Sequence, residues 1–282
     1  MTVEKNILLN GGHGKPIATD IFCPAGDGKS PVVIYAHGFN GFKDWANFDI
    51  IADKFAEAGF VFVKFNFSHN GTTPDKPEEF TDLNAYGQNN YTIELEDLGS
   101  VIDWVASPDN QHHTNINTQE IYLLGHSRGG GIAIIKASED SRIKKLVTWA
   151  SVNECKTPWG SWSGPKMQGW RENGVEHVEN SRTKQELPIY YQLYENYEQN
   201  KDRLDIQAAM QRLTIPVLIC HGRKDIAVPV DRAYALHEWN KGSELFIVTS
   251  DHVFGRKHPW TESSLPEAME KVVNKSIEFL KQ

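Results

Sequence analysis

The sequence predicts an α/β fold, in which helices cover both faces of a doubly wound, mostly parallel β-sheet. Two patterns along its 282 residues indicate this class. Short apolar runs, rich in β-branched and aromatic residues, alternate with segments of helical periodicity. These runs are nearly continuous in hydrophobicity, which is typical of strands that helices cover on both sides. The length allows one large domain or two small ones.

The strand-like runs occupy residues 6–10, 17–23, 32–36, 61–65, 121–124, 146–149, 217–220 and 245–249. The first two flank Gly11, Gly12 and Gly14 and predict an antiparallel hairpin ahead of the parallel strands. Helical patterns occupy residues 44–58, 91–106, 128–138, 231–239 and 266–280. Gly59 follows the first of these helices, where a C-terminal glycine is expected. This alternation predicts a single doubly wound sheet.

One segment, residues 153–212, interrupts the alternation because it contains no strand-like run. Its 60 residues are too many for an ordinary connection between two strands. We therefore expect a small, mostly helical lid inserted into the sheet domain. The predicted division is a core of residues 1–152 and 213–282 with a lid of residues 153–212.

Composition and charge exclude several classes of function. The formal net charge is −8 and no basic cluster occurs, so a nucleic acid is not an expected partner. No stretch approaches the roughly 18 apolar residues of a membrane span, and no apolar run follows Lys5 as a secretory signal would require. Cys23, Cys155 and Cys220 are far apart and fit neither a disulfide framework nor a zinc site. We expect a cytoplasmic protein; its oligomeric state is not readable from the sequence.

The strongest motif is Gly125-His126-Ser127-Arg128-Gly129, which matches Gly-x-Ser-x-Gly. It lies between a strand-like run and a helical pattern. A sharp strand-to-helix turn projects the serine hydroxyl above the sheet, and the flanking glycines relieve the crowding. The alternative is a serine that merely caps a helix in a glycine-rich loop. The context favours Ser127 as a nucleophile.

A serine nucleophile needs a base, and His252 is the best placed of the 11 histidines. It follows the last strand-like run directly, and ligand sites of parallel sheets lie at the carboxyl ends of the strands. His237 falls inside a helical pattern, and His258 lies farther along the loop. His126 adjoins the serine, but its side chain should point differently at a tight turn. The alternative for His252 is a histidine on a surface loop.

Asp225 is the predicted acid that orients this histidine. It follows the run 217–220, again at a carboxyl end, and gives the chain order Ser, Asp, His. Asp225 could instead pair with Arg223 or Lys224 at the surface. Two other acids are less well placed, since Asp231 is expected to cap a helix and Asp251 lies too close to the histidine along the chain.

The turn after the run 32–36, His37-Gly38-Phe39, predicts an oxyanion hole. We assign its two donors to the backbone N–H groups of Phe39 and Arg128. The alternative is an ordinary glycine-rich loop. His37 and His126 are further candidates for contact with a substrate.

Three tryptophans of the predicted lid, Trp159, Trp162 and Trp170, bear on the substrate. Trp159 and Trp162 are candidate substrate-binding residues, because they would suit an aromatic or bulky apolar acyl group. All three could equally form the core of the lid, which is the commoner position of tryptophan.

These motifs together resemble the α/β-hydrolase superfamily over nearly the whole chain. Within it the sequence is similar to small-lid serine esterases of the cinnamoyl or feruloyl type and to the catalytic domains of prolyl-oligopeptidase-type peptidases. The resemblance implies an eight-stranded sheet with a lid after the sixth strand, and hydrolysis of esters through an acyl-enzyme.

The expected function is therefore a serine hydrolase that acts on a small-molecule ester. A peptidase or acyl thioesterase would use the same triad, and a ligand-binding protein could be built on an inactive hydrolase fold. No cofactor or metal is expected, because the histidines lack ligand spacing with carboxylates and no nucleotide fingerprint follows the first strand.

Overall fold

Eight strands form one mostly parallel sheet in the computed structural model, which describes residues 1–26, 28–46 and 48–282. The strand order is β1-β2-β4-β3-β5-β6-β9-β10. The pairs β1–β2 and β2–β4 are antiparallel, and the remaining pairs are parallel. The strands are β1 (Thr2–Asn10), β2 (Pro16–Cys23), β3 (Ser30–Ala36), β4 (Val61–Phe65), β5 (Ile116–His126), β6 (Ile143–Trp149), β9 (Val217–Gly222) and β10 (Glu244–Val248). The predicted fold class is confirmed.

Helices lie between most of these strands, and the short helix at residues 83–88 is one that the sequence pattern did not predict. The helices are α1 (Asp49–Glu57), α2 (Leu83–Gln88), α3 (Tyr91–Ala106), α4 (Arg128–Glu139), α5 (Gly164–Asn173), α6 (Gln192–Asn200), α7 (Ile206–Arg212), α8 (Asp231–Trp239) and α9 (Glu267–Lys281). None of the helices in the described parts of the chain is both long enough and apolar enough to span a bilayer.

Two hydrophobic cores lie on opposite faces of the sheet. Along β3 the side chains of Val32 and Ile34 enter one core, whereas those of Val33 and Tyr35 enter the other. Helices α3 and α4 pack into the first core, and helices α1 and α9 into the second. Because successive side chains of a strand point to opposite faces, a strand that is covered on both sides must be apolar throughout.

Helix α1 begins later than the predicted residue 44. Ala46 has a φ of 55°, in the left-handed region that a helix cannot contain, and its N–H donates to Nδ1 of His258 at 2.9 Å. Asn47, which falls within the predicted helix, lies outside the described residues.

The insertion between β6 and β9 contains more than helices. A 3₁₀ turn (Trp159–Ser161) and helices α5, α6 and α7 accompany an antiparallel hairpin of β7 (Val175–Glu179) and β8 (Glu186–Tyr190). The expectation that the segment contains no strand was therefore wrong. Alternating polar and apolar residues do occur in Val175–Glu179, but the run is short, and most of its side chains remain partly or fully exposed.

Candidate active site

Ser127 stands on a strained turn between β5 and α4. Its φ of 55° and ψ of −121° lie outside the ordinary regions for a residue with a side chain. Its N–H donates to the carbonyl oxygen of Trp149 at 2.9 Å on the neighbouring strand. A Cβ atom on Gly129 would overlap the carbonyl oxygens of Ala36 and His37. The motif glycine therefore lets the turn lie directly against the end of β3.

The structure brings Asp225 and His252 together at the carboxyl ends of β9 and β10. Oδ2 of Asp225 accepts a hydrogen bond from Nδ1 of His252 at 2.7 Å. Oδ1 accepts from the backbone N–H groups of Ala227 at 2.9 Å and Val228 at 2.8 Å. The carboxylate is therefore fixed by backbone donors and does not form the alternative surface pair with Arg223 or Lys224.

A second histidine, His221, also reaches Asp225. Its Nε2 lies 3.3 Å from Oδ2 of Asp225 and 2.8 Å from the carbonyl oxygen of Val228, so this nitrogen must carry a proton. Although burial opposes ionisation, the hydrogen bonds from His221 and His252 hold the pKa of Asp225 well below its usual range. An ionised carboxylate at Nδ1 leaves the other nitrogen of His252 free to accept a proton.

Ser127 and His252 line the same cleft, which has a volume of about 410 Å³. Among the described residues no hydrogen bond joins Oγ of Ser127 to Nε2 of His252. The two side chains therefore face one common cavity. A volume of this size lies in the range of small-molecule sites.

The two histidines that were expected to contact substrate both line the cleft, but their rings are engaged in the protein. Nε2 of His37 accepts from the N–H of Phe67 at 3.3 Å, so Nδ1 carries the proton and donates to the carbonyl oxygen of Gly38 at 2.9 Å. Burial lowers the pKa of His37 to about 4. Nε2 of His126 donates to the carbonyl oxygen of His252 at 3.0 Å. Both rings thus hold backbone segments that border the site.

The two backbone groups assigned to the oxyanion hole lie in this region. A Cβ atom on Gly38 would stand 2.9 Å from Cβ of Ser127, which shows how closely the turn after β3 approaches the serine. Within the described residues, neither the N–H of Phe39 nor that of Arg128 has a hydrogen-bond acceptor. The side chain of Arg128 is buried and turns away to other partners: Oε2 of Glu94 at 2.9 Å and the carbonyl oxygen of Thr157 at 3.1 Å.

Trp159 and Trp162 do not line the cleft, and their packing accounts for them instead. Trp159 is buried, with its ring centroid 6.0 Å from that of Trp170 and 5.9 Å from that of Tyr91. The ring of Trp162 is half-buried, 5.0 Å from Trp170. The prediction that these two residues bind substrate is not supported, and the alternative, a lid core, describes their positions.

The part of the insertion that does line the cleft is the turn of the hairpin β7–β8. Glu179, Asn180, Ser181 and Arg182 face the site from this turn. Arg256 lines it from the loop that carries His252. None of these residues was predicted from the sequence, because polar residues on long loops have no periodic pattern that would indicate where they lie in the fold.

Three carboxylates, those of Asp20, Asp44 and Asp49, lie within 4.8 Å of one another and could in principle hold a metal ion. Two buried lysines already form ion pairs with these carboxylates. Nζ of Lys43 lies 2.8 Å from Oδ2 of Asp20, and Nζ of Lys64 lies 2.6 Å from Oδ1 of Asp49. The group is therefore an internal ion-pair network that balances its charge with lysine ammonium groups.

A comparison with models of protein families matches residues 19–240 to the family described as BD-FAE. The chain belongs to the BD-FAE family. The match spans more than half of the sequence and contains Ser127 and Asp225, whereas His252 lies beyond it.

The chain is also similar to several individual proteins. One is an uncharacterized 31.7 kDa protein of the traX-finO intergenic region of Escherichia coli, to which the chain is 30% identical over 132 residues. The aligned residues are 47% of this chain and 41% of that protein. The alignment thus spans less than half of the relative's own length.

Solved structures share the fold over nearly the full length. Est1E from Butyrivibrio proteoclasticus, solved with ferulic acid bound, has a TM-score of 0.74 at 18% identity, covering 98% of this chain and 100% of that one. Dienelactone hydrolase from Anabaena variabilis has a TM-score of 0.64 at 16% identity, covering 100% and 98%. The chain therefore has the α/β-hydrolase fold.

Proposed function

We propose that the protein is a serine hydrolase that cleaves carboxylic esters through an acyl-enzyme intermediate. The observation that carries the proposal is that His252, hydrogen-bonded to Asp225, lines the same cleft as Ser127, which stands on a strained turn. A histidine that a carboxylate orients and that shares a cleft with a serine on a strained turn is the arrangement that such chemistry requires. Membership of the BD-FAE family and the α/β-hydrolase fold support it.

In the proposed mechanism, Oγ of Ser127 attacks the acyl carbon while Nε2 of His252 takes its proton. Asp225 holds the ring in the correct tautomer and stabilises the imidazolium that forms. The N–H groups of Phe39 and Arg128 donate to the oxyanion of the tetrahedral intermediate. His252 then protonates the leaving alcohol, and a water molecule repeats the sequence to release the acid.

The lining of the cleft favours an ester with an aromatic or bulky acyl group. Tyr35, Phe39, Phe42 and Trp45 all border it, and aromatic side chains stack well against planar ligands. The fold relative Est1E was solved with ferulic acid, an aromatic acid, which is consistent with this proposal.

The proposal is tested with a fluorophosphonate probe and with a panel of 4-nitrophenyl esters, a methyl hydroxycinnamate, aminoacyl amides and acyl thioesters. We expect the wild type to be labelled at Ser127, and Ser127→Ala to lose both labelling and at least about 10⁴-fold in kcat, as is usual for a triad nucleophile. Ser161→Ala, at an exposed serine of the insertion, is the matched control and should behave as the wild type.

Equal ester turnover by the wild type and Ser127→Ala would refute the mechanism. Turnover of aminoacyl amides or acyl thioesters in preference to the esters would keep the triad but replace the substrate class. A wild type that is neither labelled nor active on the whole panel would instead indicate a ligand-binding protein on an inactive fold.

A further inference from the structure

Arg256 is a buried cation beside the cleft with little to balance its charge. Its side chain is only 4% exposed. Nε donates to the carbonyl oxygen of Val253 at 3.0 Å, whereas the terminal nitrogen Nη1 is buried and has no hydrogen-bond partner among the described residues. The guanidinium lies over the rings of Trp45 at 5.4 Å and Phe48 at 5.3 Å.

No carboxylate in the described chain forms an ion pair with Arg256. Asp251 is the acid that acts on it electrostatically, but Asp251 is exposed and its Oδ1 accepts from the N–H groups of Val253 at 3.2 Å and Gly255 at 2.8 Å. A buried charge without a partner costs free energy that a partner of opposite charge would recover. Burial correspondingly lowers the pKa of Arg256 to about 10, a value that still leaves the side chain charged at neutral pH.

The other charged side chains of the cleft have the same sign. Arg182 and Lys257 also line it, and neither forms an ion pair with a described acid. Among the described residues of the lining, Glu179 is the one acid, and its carboxylate is paired with Lys184 at 2.9 Å. The cleft is therefore cationic although the chain as a whole carries a formal charge of −8.

We propose that this cleft selects esters that carry a carboxylate, which binds at Arg256 with electrostatic assistance from Arg182 and Lys257. The inference rests on the proposed hydrolase function and names the substrate class of the same site. A guanidinium presents a planar pair of donors that matches the two oxygens of a carboxylate. The rings of Trp45 and Phe48 pack against the guanidinium, and the exposed Arg182 and Lys257 would attract the anion before it binds.

The test uses two matched pairs of esters, because the carboxylate could lie on the acyl or on the alcohol part. The first pair is 4-nitrophenyl hydrogen glutarate and its methyl ester. The second is 4-acetoxybenzoate and its methyl ester. For each pair, the preference is the kcat/KM of the anionic ester divided by that of the neutral ester. Intrinsic reactivities cancel when this preference is compared between two enzyme variants.

We expect Arg256→Gln to reduce the preference about 10- to 100-fold for the pair whose carboxylate reaches the site, as is typical of a charge-assisted hydrogen bond. Arg256→Lys should recover part of the loss, because it keeps the charge but not the planar donors. Arg182→Gln should reduce the preference a few-fold, and by less at high salt. Arg171→Gln, which removes an exposed arginine that does not line the cleft, should leave the preference unchanged.

A folded Arg256→Gln protein with the wild-type preference for both pairs would overturn the proposal, while the hydrolase function would stand. Should Arg256→Gln fail to fold, the same preference is measured for the double variant Arg182→Gln/Lys257→Gln and for the wild type at increasing salt concentration. A preference that responds to neither excludes selection by charge. As a readout independent of turnover, Ser127→Ala should bind benzoate by calorimetry, and adding Arg256→Gln should abolish that binding.

Discussion

At the scale of single residues, Gly38 shows how little space the proposed oxyanion hole leaves. A Cβ atom at this position would lie 2.9 Å from Cβ of Ser127 and 3.2 Å from the carbonyl oxygen of His126. Both neighbours belong to the strained turn, so they cannot move away without shifting the nucleophile itself. The turn after β3 would have to retreat, and the N–H of Phe39 would retreat with it.

We expect Gly38→Ala to lower kcat by about 10- to 1000-fold with a smaller change in KM, since loss of an oxyanion donor acts mainly on the transition state. Steady-state kinetics on a 4-nitrophenyl ester measure both constants. Gly164→Ala is the control, because a Cβ atom there meets nothing within 4 Å. If Gly38→Ala retained the wild-type kcat, the turn would not form part of the oxyanion hole.

The predictable residues of the site are those fixed by a motif or by the end of a strand. Ser127, Asp225 and His252 were predicted from such positions, and the structure brings the last two into hydrogen-bond contact. Arg256 could not be predicted, because its burial depends on Trp45 and Phe48, about two hundred residues away along the chain. Long-range packing of this kind leaves no pattern in the sequence.

At the scale of elements, the agreement between sequence and structure follows the strength of local signals. Helix α3 begins and ends where its periodicity indicates, and Asn90 caps it by accepting from the N–H of Ile93 at 3.0 Å. Helix α2 escaped prediction because it is only six residues long. The hairpin β7–β8 was missed because β7 is mostly polar and partly or fully exposed, whereas the buried apolar run of β8 is only three residues long and contains a proline.

Helix α3 also carries a titratable group that makes stability depend on pH. Asp97 is fully buried; Oδ2 accepts from the N–H of Ser68 at 2.7 Å, while Oδ1 has no partner among the described residues. Burial raises the pKa of Asp97 to about 7. Between the ordinary pKa of about 4 and this value, the folded protein keeps a proton that the unfolded chain has lost. Stability must therefore fall as the pH rises through this window.

Asp97→Asn removes this penalty, since the amide is neutral at every pH and its oxygen can still accept from Ser68. We expect the variant to gain stability over the wild type as the pH rises from 5 to 8, by up to about 3 kcal/mol. Urea unfolding at the two pH values measures the difference. Asp103→Asn, at an exposed position of the same helix, controls for the lost charge; an equal effect of both variants would contradict the assignment.

At the scale of the whole molecule, a buried charge network joins parts of the chain that lie far apart in sequence. Lys64 on β4 is fully buried and contacts Asp20 on β2 at 3.1 Å, Asp49 at the start of α1 at 2.6 Å, and Asp44. Although burial opposes ionisation, Lys64 and Lys43 keep the pKa of Asp44 below its ordinary value. The network fixes the antiparallel edge of the sheet against the first helix.

We expect Lys64→Met to lower the free energy of unfolding by about 3–5 kcal/mol, because it leaves buried carboxylates short of a counter-charge. Urea denaturation at neutral pH measures the change. Lys144→Met, at an exposed position on β6, makes the same substitution where no charge becomes buried and should cost far less. Similar losses in both variants would show that the network adds nothing beyond the hydrophobic cores.

The hairpin turn that borders the cleft, residues 179–182, belongs to the insertion and not to the sheet that carries the proposed triad. The groups proposed to carry out the chemistry stand on the ends of sheet strands, whereas the turn reaches the same cleft from the insertion. Asn180 is buried, and its Oδ1 accepts from the N–H of Arg182 at 3.0 Å, so it maintains the turn. Randomising the three exposed positions, Glu179, Ser181 and Arg182, would leave the two cores and the proposed triad in place. A directed-evolution library confined to them should therefore yield mostly folded, active clones that differ in the esters they accept. Substitutions in the hairpin turn could therefore change which esters the protein accepts, without altering the strand ends that carry the proposed triad.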